Sequence, residues 1–142
     1  MVADAAAATA PYRETTMFSA ELNHNHAHLD VAICDRREFD RAALRALCSH
    51  GHDLSVVAEV EQPDQLTQAL AACVQLVILI GRSMLRGGGD QLERIRRDLP
   101  QARIVVVGVG EERVATAVPA GADGFLARDG DLADQLAAVY GV

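Results

Sequence analysis

LVILI, residues 76–80, is the most apolar run in the chain. Three of its five side chains, Val77, Ile78 and Ile80, are β-branched, which suits a pleated strand better than a helix. No polar residue alternates through it, so it predicts a strand buried on both faces, at the centre of a parallel sheet. Comparable runs lie on either side: LDVAIC (29–34) and LSVVAEV (54–60) before it, RIVVV (103–107) and DGFLA (123–127) after it. Between them the apolar period changes from two to that of a helix. Phe39, Ala43 and Leu47 fall on one predicted face over 38–50, with Gly51 stopping that helix. Pro63 suits the first turn of a second helix, whose inward face is Leu66, Ala69, Leu70 and Cys73. DQLERIRRDL (90–99) turns Leu92, Ile95 and Leu99 inward and its arginines outward, and Pro100 ends it. A short helix over 111–121, strained near Pro119, and a last one over 131–140 with Leu132, Leu136 and Val139 inward complete the pattern.

Five strand–helix pairs in strict alternation imply crossover helices covering both faces of a parallel sheet. Five units are too few for an eight-fold barrel. The expected architecture is α/β: a three-layer, flavodoxin-like (βα)5 doubly wound parallel sheet with strand order 2-1-3-4-5. The chain has 142 residues, enough for one domain, with 50% hydrophobic residues to fill its core. Residues 1–28 are Ala- and Thr-rich without a sustained period, and read as a disordered leader, with a short helix near 16–22, that folding does not need. The domain is expected over 29–142.

Composition removes several functions. Thirteen Lys and Arg against twenty Asp and Glu leave a net charge of −7, which repels a phosphate backbone. Tryptophan is absent and aromatics are 4%, so base-stacking platforms are scarce. Direct nucleic-acid binding by this chain is therefore not expected. No run of about 18 apolar residues exists, so no membrane span is expected, and no secretion signal is read at the N-terminus. Cys34, Cys48 and Cys73 are odd in number and scattered through apolar patterns. They read as buried small hydrophobes in a reducing cytoplasm.

Ligands of such a sheet bind beyond the carboxyl ends of the strands, at the switch between strands 1 and 3. That singles out Asp35, Arg36, the loop after Ile80, Gly108 and the stretch after Phe125. Three segments there carry a family resemblance. VAICDRREFDRAALRALC is similar to the first strand and helix of response-regulator receiver domains of the LuxR-output type. RIRRDLPQARIVVVGV resembles their third helix and fourth strand, and AGADGFLARD resembles their segment around the fifth strand. The resemblance covers residues 29–142. It implies aspartyl-phosphate signalling: two acids after strand 1 to hold Mg²⁺, an acceptor Asp ending strand 3, a Ser or Thr after strand 4 and a Lys after strand 5. Mg²⁺ requires hard oxygen ligands and offsets charge on the transferred phosphoryl group, and the carboxylate is the nucleophile.

Carried over position by position, the pattern fails. Asp35 matches the first acid, but Arg36 replaces the second; Ile80 stands at the acceptor, Gly108 at the Ser/Thr and Arg128 at the Lys. Phe125 matches the switch aromatic. No Asp or Glu lies between Asp64 and Asp90, so a slipped register restores nothing. The expectation is a degenerate phosphorylation pocket with no catalytic residue, no metal and no cofactor. Asp35 and Arg128 pair inside it, and Phe125 is buried inward.

Weaker signals remain. Arg36 and Arg128 could hold a small anion instead. Gly87-Gly88-Gly89 before a helix, with Arg82 and Arg86, suggests phosphate, but lacks the Lys-Ser/Thr of a P-loop and reads as a mobile connector. His24, His26 and His28 alternate along one side of an extended chain, a pattern that suits Zn²⁺ or Ni²⁺, but no Cys or carboxylate cluster completes it in sequence, although Asp30 follows. His50 and His52 suit a helix C-terminus. A flavin phosphate would need hydroxyls after strand 1, where Asp35-Arg36-Arg37-Glu38 has none. The expected function is therefore non-enzymatic: a pseudo-receiver that binds a protein partner or a second copy through the fourth helix, fifth strand and fifth helix. A second reading is the regulatory half of a LuxR-type DNA-binding factor. A third is an anion sensor.

Overall fold

The computed structural model describes residues 28–66, 68–85, 90–109 and 121–141. Five parallel strands, β1 (Leu29–Cys34), β2 (Leu54–Val60), β3 (Leu76–Gly81), β4 (Arg103–Gly108) and β5 (Gly124–Ala127), form one sheet in the order 2-1-3-4-5. This is the expected doubly wound order. Strand β3 lies between β1 and β4, with Cys34 beside Ile80 and Ile80 beside Val106. All six of its residues are buried, as its unbroken apolar run requires. Strand β2, at the edge, alternates instead and leaves Val57 exposed.

Side chains alternate between two cores. Val31, Ile33, Val77, Leu79, Val105, Val107 and Leu126 face one layer, built from helices α1 (Glu38–Ser49) and α3 (Leu132–Tyr140). Ala32, Cys34, Ile78, Ile80, Ile104, Val106 and Phe125 face the other, built from helix α2 (Asp90–Asp98) and two 3₁₀ stretches. Helix α2 inserts Leu92 and Ile95, with Leu99 just beyond its end, as the sequence predicts.

Three expectations are corrected. The helix expected over 63–73 is two 3₁₀ segments, Pro63–Gln65 and Gln68–Ala72. The Gln65 carboxamide accepts the Glu61 and Gln62 N–H groups and closes the first piece, while the Gln101 side chain donates to the carbonyls of Leu70, Ala71 and Cys73 and ties down the second. In α1 the buried stripe is Leu44, Leu47 and Cys48, and Phe39 is 83% exposed. Residues advance by about 100° around a helix. Leu47 thus ends the arc that began at Phe39 and begins the one that faces the sheet. Leu132, expected inward, opens α3 and is exposed, with Val139 buried at the other end.

Helix α3 ends at Gly141, whose φ of 85° is the left-handed conformation that a side chain disfavours. Its N–H reaches the Ala137 carbonyl, and the Arg103 guanidinium donates to the carbonyls of Ala138 and Val139. Residues 1–27 of the expected leader, with His24 and His26, the Gly87–Gly89 stretch with Arg86, and residues 111–120 of the helix expected over 111–121 lie outside the described residues. Among the described residues no helix is long and apolar enough to cross a membrane.

Candidate functional site

Asp35 follows β1 directly and is the one charged side chain buried among the described residues, with no exposed surface. Its own N–H donates to the Val60 carbonyl, and its Oδ1 accepts the Arg37 N–H at 3.0 Å. The Arg41 side chain returns from α1 and donates to the carbonyls of Asp35 and Arg36 at 2.7 and 3.2 Å. The chain turning from β1 into α1 is thereby fixed, and the Asp35 carboxylate points across the strand ends.

What meets the carboxylate is cationic. Arg128, one residue beyond β5, places Nη2 3.5 Å from Asp35 Oδ2 and Nη1 3.1 Å from Asp40 Oδ1. The Arg128 N–H donates to the Gly108 carbonyl at 2.7 Å, which carries the end of β5 toward the site. The expected Asp35–Arg128 pair is present, and the structure adds Asp40 to it. Asp35 Oδ2 and Asp40 Oδ2 are buried without a hydrogen bond among the described residues, so the guanidinium is the principal compensation for both carboxylates.

The remaining predicted residues divide. Ile80, next to last in β3, and Gly108, which ends β4, are buried, and Phe125 is 8% exposed. Ile80 and Phe125 join one apolar cluster. Arg36 is exposed and stands outside the cluster of charges. Asp40 and Gly81 were not singled out in the sequence. Asp40, five residues after Asp35, brings a second carboxylate back over the strand end from the first turn of α1. Gly81 gives the first carboxylate room: a Cβ there would stand 2.2 Å from Asp35 Oδ2 and 3.0 Å from its Cγ. Asp35 has nowhere to withdraw while Arg37 holds Oδ1. Gly81→Ala should therefore destabilise the domain by about 1–3 kcal/mol in chemical denaturation. In an Asp35→Ala background most of that loss should vanish. Equal losses in both backgrounds would show that the carboxylate is not what Gly81 makes room for.

As chemistry, the cluster balances one guanidinium against two carboxylates, Asp35 and Asp40. Position 80 is hydrocarbon, position 108 has no hydroxyl, and the cation at 128 is engaged by two carboxylates.

No family model matches the chain. In sequence it is similar to the nitrate/nitrite response regulator protein NarL of Escherichia coli K12, 29% identical over 119 residues, which are 82% of this chain and 55% of NarL. The chain thus spans about half the length of the curated relatives it matches. In structure it is similar to the isolated receiver domain of RcsB from Salmonella enterica serovar Typhimurium, determined with the phosphomimetic BeF3−. The TM-score is 0.67 at 19% identity, over 80% of this chain and 87% of that one. It is also similar to RcsB of the same organism bound to the rprA promoter, with a TM-score of 0.63 at 21% identity, over 79% and 68% of the two chains. The fold is that of receiver domains.

Proposed function

We propose that this chain is a receiver-type signalling domain that takes up no phosphoryl group and acts by presenting a protein-binding surface. The observation that carries this reading is the end of β3: Ile80, beside Cys34, is fully buried hydrocarbon, and Gly81, the last residue of the strand, has no side chain, so neither supplies an atom that could accept a phosphoryl group. The surroundings support it. Mg²⁺ requires several oxygen ligands, whereas here the second acidic position is Arg36 and the guanidinium of Arg128 lies against Asp35. The residues do not fit that ion. Phe125, buried in the apolar cluster, and Gly108, with no hydroxyl to follow a phosphoryl group, support a single standing conformation. A ligand shifts a two-state equilibrium only through differential affinity, and the usual ligand has no attachment point. The partner surface would be the region of 111–121, β5 and α3, taking a protein or a second copy in the cytoplasm. Residues 29–142 would form this unit, with 1–28 as a leader.

The test is exposure to acetyl phosphate and Mg²⁺, followed by intact-mass measurement. The expected result is no mass gain and no Mg²⁺-dependent spectral change. A gain of one phosphoryl group mapped to an aspartate would overturn the reading.

A second reading makes the chain the regulatory part of a longer DNA-binding regulator, its match to NarL spanning 55% of that protein. DNA contact would then belong to another domain. Extending the reading frame of the native gene past Val142 into a helix-turn-helix would favour it. An anion-sensing role for Arg128 has less support, because Asp35 and Asp40 already engage it.

A further inference from the structure

Between α1 and α3, beside the bridge that Arg128 makes to two carboxylates, lies a groove of about 300 Å³. Its floor is hydrocarbon, from Leu44, Leu47 and Leu126. Phe39 stands on its margin with 83% of its surface exposed, in a first turn otherwise made of charged residues. Its polar end includes Asp40 and Arg128. An apolar lining with a few convergent polar groups is the usual form of a small-molecule site.

The charges at the polar end do not balance. Arg128 places Nη1 3.1 Å from Asp40 Oδ1 and spends Nη2 on Asp35 at 3.5 Å. Asp40 Oδ2 is buried without a hydrogen bond among the described residues. The Arg37 guanidinium stands 3.9 Å from it, on a side chain that is 72% exposed. One close guanidinium is thus divided between two carboxylates, and one carboxylate oxygen lacks a donor. A buried acceptor left unpaired carries its full desolvation cost. The polar end therefore favours a ligand that brings a donor and a positive charge, and disfavours an anion.

We propose that this groove binds a small organic cation, a primary ammonium on an aromatic or branched apolar body. The ammonium donates to Asp40 Oδ2 and displaces the loosely held Arg37 guanidinium. The body covers Leu44, Leu47 and Leu126 and packs against the Phe39 ring, whose face also attracts a cation within about 6 Å. A neutral molecule of the same shape gains the apolar contacts alone. Arg128 lines the groove and also holds Asp35, so occupancy is sensed at the ends of β1 and β5.

The experiment is titration of the full 142-residue chain with phenethylamine, followed by amide and methyl NMR at constant pH and ionic strength. 2-Phenylethanol and 3-phenylpropanoate serve as the neutral and anionic counterparts. The expected result is saturable shifts at the methyls of Leu44, Leu47 and Leu126 and at the Arg128 side chain, with a roughly millimolar Kd for so small a probe. The alcohol should bind at least about tenfold more weakly, the factor that one charge-assisted hydrogen bond carries. The carboxylate should give no saturable shift. Asp40→Asn should abolish the preference for amine over alcohol. Phe39→Ala, which changes an exposed ring, should weaken both. Circular dichroism of both variants should match the wild type. Absence of saturable shifts with the amine would overturn the site, as would equal affinity for amine and alcohol. A preference that survives Asp40→Asn would also overturn it, because the attraction would then be to the net charge of −7 at large. Sedimentation of the ligand-free chain examines the other occupant: a concentration-dependent dimer lost in Phe39→Ala would assign the groove to a second copy and overturn the small-molecule site.

Discussion

Ile80→Asp should destabilise the domain by about 3–5 kcal/mol at neutral pH and should not restore phosphorylation. Ile80 has no exposed surface and packs in the cluster that includes Cys34, Met84, Val106 and Phe125. The substitution deletes apolar contacts, a loss of about 2–5 kcal/mol for a buried Ile cut to a small residue. It also leaves an ionisable carboxyl in that apolar setting, where an unpaired charge is costly enough that the group prefers to stay protonated. Arg128, the guanidinium beside Asp35, is already held between Asp35 and Asp40. The sign of the pH effect follows. The new carboxyl would have a folded-state pKa above its unfolded one. The stability deficit would then be smallest at pH values below the unfolded pKa and grow as pH rises through the folded pKa. Denaturation midpoints of wild type and variant across pH 4–8, with acetyl phosphate added at neutral pH, test this. A variant as stable as wild type that gains one phosphoryl group would mean that the pocket is intact except for its acceptor, and that Ile80 alone separates the domain from phosphoryl transfer.

The fold was legible because its determinants are local and periodic. Unbroken runs such as 76–80 and 103–107 can be satisfied only with cover on both faces, and the helical spacing between them supplies that cover. The misread parts were those where a local pattern had two solutions. Phe39 and Leu47 obey helical spacing, but so do Leu44, Leu47 and Cys48, and only the position of the sheet selects the second stripe. Between Pro63 and Cys73 the apolar spacing suits a helix equally well, while the hydrogen bonds that set the 3₁₀ geometry come from Gln65 nearby and from Gln101, well downstream. At the site, Asp35 and Arg128 could be paired in advance because both fall at strand ends known from the topology. Asp40 and Gly81 could not. One depends on the azimuth of α1, the other on the rotamer by which Asp35 leans over its neighbouring strand, and neither leaves a trace in spacing.

Arg128→Ala should lower stability by about 1–3 kcal/mol, through carboxylates left buried without their cation. Asp35 would keep the Arg37 N–H at Oδ1, but Oδ2, which accepts no hydrogen bond, would lose its contact with the guanidinium at 3.5 Å. Asp40 would lose its 3.1 Å partner and keep the Arg37 guanidinium at 3.9 Å, on a side chain that is largely exposed. Exposed ion pairs contribute little, and Arg128 is itself a third exposed. The effect therefore comes from the buried partners rather than from the attraction as such. Removing an acid along with the arginine should consequently cost less than the two single losses added together. Arg128→Ala, Asp35→Ala and the double variant form that cycle, and a coupling of at least about 0.5 kcal/mol is expected for groups in contact. The same variants examine the standing conformation. If the Asp35–Arg128–Asp40 bridge and the buried Phe125 hold one state, relaxation-dispersion NMR should show no microsecond-to-millisecond exchange at Phe125 in the wild type. Exchange should appear when Arg128 is removed and the ends of β1 and β5 are no longer bridged. Additive losses, with exchange at Phe125 already present in the wild type, would mean that the arginine is peripheral and that the domain still moves between two states.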